Sequence, residues 1–305
     1  MRQQSRGQAR LYLAAALAFI AVVLPVSASA PHRETLRQDG RELKLVISPG
    51  FDADQRAQLT DWIEFIARAL TEVYGHWPRE QWEVSISPAS AADHDPIPWG
   101  QVRRDSIDRV EFYTSPRATA EELKREWTGY HEFAHLLIPY QGHGDTWFSE
   151  GLASYYQYIL QGRVGILTEQ QAWQEIHDGL MRGRADSGFD GQTLATVSDG
   201  MRRNGGFMRV YWSGAWYFLA IDIRLRQQSR GELTLDDALR KLNDCCAGKH
   251  LSVREMIDRL DKMNEIVLFT HLYEQVRKSE SMPGFERMFA SLGISVVDGV
   301  VSLQE

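Results

Sequence analysis

The segment from His131 to His135 constrains this chain more than any other part of its sequence. Its two histidines stand four residues apart, so on a helix both imidazoles lie on one face and can approach a single metal ion. Glu132 follows the first histidine and can reach a water held by such an ion. This arrangement predicts a zinc-binding helix over residues 120–138, with Glu132 as general base. Thr119 and Glu122 form a capping box at its start, and Pro139 stops it.

Glu150 is the best candidate for a third ligand. A catalytic zinc ion takes three protein ligands and keeps one position open for water. Glu150 lies in an aromatic stretch, residues 145–156, that predicts a second helix. Aromatic neighbours would bury its carboxylate, and an unpaired buried carboxylate is costly. We therefore interpret Glu150 as a ligand rather than a solvated surface residue. The sequence predicts one Zn²⁺ per chain, bound by His131, His135 and Glu150.

Three stretches resemble the gluzincin zinc metallopeptidases, most closely the glycyl aminopeptidase family and more distantly the alanyl and leucyl aminopeptidases. They are HEFAH at 131–135, WFSEGLASYY at 147–156 and VYWSGA at 210–215. The resemblance runs from His131 to about the C-terminus and implies a catalytic domain only. It implies the same three zinc ligands, Glu132 as the base, and Tyr211 as a donor to the oxyanion of the tetrahedral intermediate. Without the resemblance, Tyr211 would be interpreted as a core aromatic residue.

The chain departs from this family at the place where its aminopeptidases bind the free amine of the substrate. The corresponding segment, residues 99–106, keeps a glycine but offers no glutamate at the expected position. We therefore favour an endopeptidase or a peptidase of restricted specificity, with an aminopeptidase as the alternative. A non-catalytic, zinc-stabilised module that binds peptides is a further alternative. Glu132 argues against that module, because a purely structural site needs no base.

The sequence predicts an α+β fold of the zincin (thermolysin-like) type. Alternating residues at 42–48, 82–87 and 108–114 predict strands, and an apolar stripe predicts a helix over 53–75. These elements form a small mixed β-sheet lobe, residues 29–140, that ends in the active-site helix. We expect the sheet edge to run beside the zinc cleft, where a peptide can add as a strand. Residues 141–305 form a mostly helical lobe. Within it, residues 184–206 predict either a mobile flap over the cleft or a surface loop.

The N-terminus has the features of a signal peptide over residues 1–28. Arg2, Arg6 and Arg10 precede an apolar run at 11–24, and small-residue cleavage sites follow at Ala28 and Ala30. We favour cleavage after Ala28, because Pro31 would directly follow the second site. We expect an exported bacterial protein, periplasmic or secreted, with an uncleaved membrane anchor as the alternative. Loss of the three arginines changes the formal charge from −7 to −10. This acidic balance argues against nucleic acid and anionic membranes as partners and leaves a peptide or protein substrate.

The only two cysteines of the chain, Cys245 and Cys246, are adjacent. Their spacing does not suit a zinc site. We interpret them as thiols or as a bridge between neighbours, without a catalytic role.

Overall fold

The computed structural model describes residues 30–90 and 94–304, and the predicted signal peptide lies outside them. The N-terminal part contains β1 (His32–Gln38), β2 (Arg41–Ile47), α1 (Ala53–Tyr74), β3 (Gln81–Pro88), β4 (Trp99–Arg104), β5 (Asp108–Thr114), α2 (Ala120–Arg125) and α3 (Trp127–Ala134). The C-terminal part contains α4 (Thr146–Arg163), α5 (Glu169–Ala185), α6 (Leu194–Asn204), α7 (Phe207–Ser229), α8 (Leu235–Cys246), α9 (Val253–Met263), α10 (Phe269–Arg277), α11 (Glu286–Ser291), β6 (Ile294–Val297) and β7 (Val300–Leu303).

The N-terminal strands form a mixed sheet in the order β1-β2-β3-β5-β4. Strands β2, β3 and β5 are parallel, whereas β1 and β4 are antiparallel to their neighbours. Helix α1 makes the crossover from β2 to β3. Strand β4 is therefore an edge strand, whose outer backbone groups have no partner strand within this sheet. An edge of this kind is where an extended peptide can add.

An aromatic cluster fixes helix α3 against the sheet and α1. Trp62 of α1 packs edge-on against Phe112 of β5, with ring centroids 5.1 Å apart. Phe133 of α3 completes the cluster by packing on Phe112 and on Trp82 of β3. Gly129 allows the close approach of α3 to α1, because a Cβ there would lie 3.0 Å from the Trp62 ring. The face of α3 that carries Glu132 and the two histidines is thereby held in a fixed position.

The predicted α+β architecture is confirmed, with a small mixed sheet first and a mostly helical part after it. The expected position of the sheet edge is also confirmed, since β4 lies beside Glu132. The sequence did not predict strand β1, and the mostly helical C-terminal part ends in the short hairpin of β6 and β7. In the described residues, none of the helices has the length and apolar character needed to cross a lipid bilayer.

The prediction of one continuous helix from residue 120 is wrong at Glu126. This residue has an extended backbone, with φ −67° and ψ 128°, and separates α2 from α3. The Gln161 side chain of α4 donates to the carbonyl of Arg125, and the Tyr130 hydroxyl donates to that of Lys124. These bonds replace the helical ones lost at the break. The break also leaves Trp127 at the surface, 42% exposed, although the helical pattern predicts it in the core.

The prediction of a flap or surface loop over residues 184–206 is also wrong, because most of this segment is helical. A single 3₁₀ turn at Ser187–Phe189 is followed by α6, whose N-cap is the Thr193 side chain. Leu194, Val197 and Met201 form a buried stripe at helical spacing. The Gly- and Asp-rich composition of the segment favoured a loop over the helix that this spacing indicates. Burial of the stripe packs α6 against the rest of the molecule.

Candidate metal centre and active-site cleft

His131, His135 and Glu150 meet at one point between α3 and α4. Nε2 of His131 lies 3.3 Å from a carboxylate oxygen of Glu150, and Nε2 of His135 lies 3.7 Å from the same oxygen. One ligand atom from each residue falls within 4.8 Å of the other two. Tetrahedral zinc with bonds of 2.0–2.2 Å would set its ligand atoms about 3.4 Å apart. The donor types and their separations therefore fit Zn²⁺.

Hydrogen bonds on the far side of each imidazole direct its Nε2 towards Glu150. Nδ1 of His131 lies 2.8 Å from the side-chain amide oxygen of Gln157, which can only accept. Nδ1 therefore carries a proton, and Nε2 can bind a metal ion once it gives up its own proton. Nδ1 of His135 lies 2.8 Å from the Ser149 hydroxyl. Outer partners of this kind fix the orientation of histidine ligands around a metal. Sequence analysis missed both, although Gln157 lies seven residues after Glu150 on the same helical face.

Two glycines determine how closely the helix of Glu150 approaches α7. A Cβ on Gly151 would lie 2.2 Å from the carbonyl carbon of Gly214, and a Cβ on Gly214 would lie 2.1 Å from the backbone oxygen of Trp147. No side chain fits at either position unless the two helices move apart. Because α4 and α7 cross at these glycines, Tyr211 of α7 lies next to Glu150 of α4.

Glu132 lies at the bottom of the cleft, where β4 passes over α3. Its side chain is buried, and a Cβ on Gly100 of β4 would lie 2.7 Å from its Cγ. Gly100 therefore leaves the space in which the carboxylate stands. Burial raises the pKa of Glu132 to about 7, with the charge of Glu150 acting in the same direction and His131 opposing it. A carboxyl with such a pKa can both accept and release a proton near neutral pH.

Burial alone would raise the pKa of Glu150, but the neighbouring histidines and the Tyr211 hydroxyl lower it to about 2. Glu150 is therefore an anion at neutral pH, as a zinc ligand must be.

Tyr211 lies directly against the three candidate ligands. Its ring stacks on His131, with centroids 5.9 Å apart and planes 19° apart. Its hydroxyl is hydrogen-bonded to Glu150, and burial followed by the charge of that carboxylate raises its pKa well above the usual value. The phenol is therefore a protonated donor at neutral pH. The structure thus brings together all five residues that the sequence singled out: His131, Glu132, His135, Glu150 and Tyr211.

These residues open into a cleft of about 970 Å³. Strand β4 forms part of its lining, and α6 contributes Asp199, Arg202 and Arg203. The residues of α6 are cleft residues that sequence reasoning missed. On β4, Arg103 forms an ion pair with Glu111 at 2.9 Å. No carboxylate stands on β4 itself, which agrees with the absence of a glutamate noted in its sequence.

Comparisons with known proteins identify relatives of this fold. Residues 140–217 match the family model of the M61 glycyl aminopeptidases, a stretch that includes Glu150 and Tyr211. A search of curated protein sequences gave no match.

Among solved structures, an aminopeptidase N family protein from Idiomarina loihiensis aligns with a TM-score of 0.67 and 17% identity, over 88% of this chain and 50% of that one. The M1 zinc metallopeptidase from Deinococcus radiodurans aligns with a TM-score of 0.54 and 16% identity, over 84% of this chain and 53% of that one. The present chain thus spans about half the length of these relatives.

The fold and the ligand set resemble those of the gluzincin metallopeptidases, over a length that corresponds to part of such enzymes. The resemblance inferred from the sequence is confirmed in this respect. Within that class, the matched segment relates the chain to the M61 glycyl aminopeptidases, and the overall fold relates it to the catalytic part of the M1 enzymes.

Proposed function

We propose that this chain is a zinc-dependent peptidase that binds one Zn²⁺ through His131, His135 and Glu150. The observation that carries the proposal is the convergence of these three ligand atoms within 4.8 Å, beside a buried glutamate and in an open cleft. A purely structural zinc site is normally closed by a fourth protein ligand. In the described residues, this is the only group of three or more His, Cys, Asp or Glu side chains that could hold a metal ion, and it has three members.

The reaction is the hydrolysis of a peptide bond by water. Bound zinc would supply Lewis acidity, which polarises the substrate carbonyl and makes water more acidic. Glu132 accepts a proton from the attacking water as the new C–O bond forms. The Tyr211 hydroxyl donates a hydrogen bond to the carbonyl oxygen as negative charge develops there. Glu132 then delivers its proton to the nitrogen as the C–N bond breaks, which releases the amine.

We favour an endopeptidase, or a peptidase of restricted specificity, over an aminopeptidase. This preference is supported by the composition of β4. The strand contains Arg103 and no carboxylate, whereas a free substrate amine would need an anionic partner there. The aminopeptidase alternative has a specific support of its own, because the matched family and the structure from Idiomarina loihiensis carry that name.

The test combines metal analysis with cleavage of a mixed peptide library, with and without a chelator. We expect one zinc per chain and chelator-sensitive cleavage that Glu132→Gln abolishes without loss of zinc. Glu64→Gln is the matched control, since Glu64 is exposed on α1 and does not line the cleft. Internal cut sites would support the endopeptidase, and release of single N-terminal residues would support the aminopeptidase. One bound zinc without any cleavage would instead favour a peptide-binding module.

We also propose that the chain is exported, that residues 1–28 are removed as a signal peptide, and that the two lobes 29–140 and 141–305 act together on a peptide or protein substrate. The acidic charge supports the absence of nucleic acid and anionic membranes among its partners. N-terminal sequencing of the protein recovered from a bacterial periplasm tests the cleavage site. A protein retained with its first 28 residues would contradict removal and favour the membrane anchor.

A further inference from the structure

A second cavity of about 1000 Å³ adjoins the active-site cleft. The two cavities share three lining residues, Arg104, Asp105 and Tyr140. Beyond them, the second cavity is lined by residues 106–108 between β4 and the start of β5, by Arg41 and residues 79–81, and by residues 243–250 at and after the end of α8. Nothing in the proposed chemistry at Glu132 uses this space. The shared residues place it next to the cleft, so a substrate bound in the cleft can extend into it.

The wall between the two cavities is built from side chains that are held in place. The Tyr140 ring packs on His250 with centroids 5.0 Å apart, and the Tyr140 carbonyl accepts a hydrogen bond of 2.9 Å from Leu251. Arg104 donates to Asp108 at 2.7 Å and to the carbonyl of His135. The shared wall is therefore fixed before a substrate binds, so little ordering is required on binding.

Strand β4 leads from the candidate catalytic residues to the second cavity. Gly100 lies against Glu132, so a scissile bond within reach of this carboxylate lies beside the start of β4. Asp105, on the second cavity, is five residues further along, about 17 Å at the rise of an extended strand. A substrate that binds antiparallel to β4 forms hydrogen bonds perpendicular to this edge strand. In that orientation, its segment N-terminal to the scissile bond runs from Gly100 towards Asp105.

We propose that the second cavity is a distal substrate-binding site, which takes the polypeptide segment about five residues N-terminal to the scissile bond. This assignment rests on the peptidase function proposed above. Ile107 is 37% exposed on the cavity lining, where the disulfide of Cys245 and Cys246 also lies. Charged residues such as Arg41, Asp244 and Lys249 also line the cavity, so Ile107 is the position at which the site binds an apolar side chain of the segment. A substrate held in this way extends well beyond one residue on its N-terminal side.

The experiment uses the full zinc-loaded chain and a series of acetylated, internally quenched peptides. All members share the residues around one scissile bond that the library has identified. Their N-terminal extension grows from two to eight residues, with leucine at each new position. We expect kcat/KM to rise at least about tenfold once the extension reaches the fifth or sixth residue, the gain that burial of one apolar side chain supplies.

The variant Ile107→Asp should reduce the ratio of kcat/KM between the longest and shortest peptides towards one. Val267→Asp is the matched control, because Val267 is 77% exposed and lines neither cavity. A ratio that stays the same in Ile107→Asp would overturn the distal site. A gain that follows C-terminal rather than N-terminal extension would also overturn it. Failure of the wild type to cleave any library peptide contradicts the proposed function itself, which is a different result from cleavage without length dependence.

Discussion

Replacement of Gly151 by alanine tests whether the crossing of α4 and α7 sets the geometry of the metal centre. The added Cβ would lie 2.2 Å from the carbonyl carbon of Gly214 and 2.8 Å from the backbone nitrogen of Ala215. Both are main-chain atoms of α7, so no flexible side chain can move aside. To reach an ordinary contact of 3.4 Å from 2.2 Å, the two helices must separate locally by about 1.2 Å.

This separation affects both stability and zinc binding. Alanine gains about 1 kcal/mol over glycine in helix propensity, whereas overpacking of a rigid core costs about 1–3 kcal/mol. Because backbone meets backbone, we expect the upper end of that cost, and a net loss of about 2 kcal/mol in the free energy of unfolding. Glu150 precedes Gly151 and moves with α4. Metal–ligand distances tolerate only about 0.2 Å, so we expect zinc affinity to fall at least about tenfold.

Urea unfolding of the zinc-free chain measures the first effect, and competition with a chromophoric zinc chelator measures the second. Gly162→Ala on the same helix is the matched control. A Cβ there would approach only the methyl carbon of Ala172, at 3.3 Å. Its unfolding free energy should stay within about 1 kcal/mol of wild type, and its zinc affinity should not change. The reasoning is refuted if Gly151→Ala and Gly162→Ala behave alike in both assays.

Three further substitutions test single contacts. Gln157→Leu removes the outer hydrogen bond of His131 and should weaken zinc binding by about 10–100-fold in the same competition assay; an unchanged affinity would exclude an orienting role. Gly100→Ala should displace the Glu132 carboxylate and lower kcat by at least about tenfold while metal analysis still finds one zinc, and unchanged kcat would contradict this. Asp261→Asn should cost about 1–3 kcal/mol in urea unfolding, because Asp261 accepts three backbone N–H bonds at the start of α10 and an amide nitrogen cannot accept. A stability equal to wild type would show that water replaces those bonds.

Features set by neighbouring residues were predictable from the sequence. The capping boxes at Thr119, Thr168 and Ser252 are present in the structure, since each depends on a side chain three residues away. The apolar stripe of α1 is buried as its spacing indicates. The pair of Asp222 and Arg226, one helical turn apart, forms the ion pair that this spacing favours. All of these depend on contacts within about four residues, where the backbone geometry of a helix fixes the distance.

Features that depend on distant residues were not predictable. The helix break at Glu126 is stabilised by Gln161, which is 36 residues from the carbonyl that it contacts. No pattern around residue 126 indicates this partner. Helix α6 is a different case. The spacing of Leu194, Val197 and Met201 indicates a helix, but the polar composition of the segment favoured the prediction of a loop. The bond between Cys245 and Cys246 was one of two open alternatives, and in the structure the pair is bridged.

The metal centre combines both kinds of information. The four-residue spacing of His131 and His135 places them on one face of the helical segment formed by α3 and the 3₁₀ turn at His135–Leu137, but their distance to Glu150 depends on how α4 packs. That packing is controlled by Gly151, which follows the ligand, and by Gly214, which is 63 residues further along and three residues after Tyr211. Any change that widened this contact would move Glu150 away from the histidines. The same glycine pair therefore couples two parts of the proposed chemistry: the third zinc ligand on α4 and the hydroxyl donor on α7. Because both helices meet without intervening side chains, neither part can shift without affecting the other.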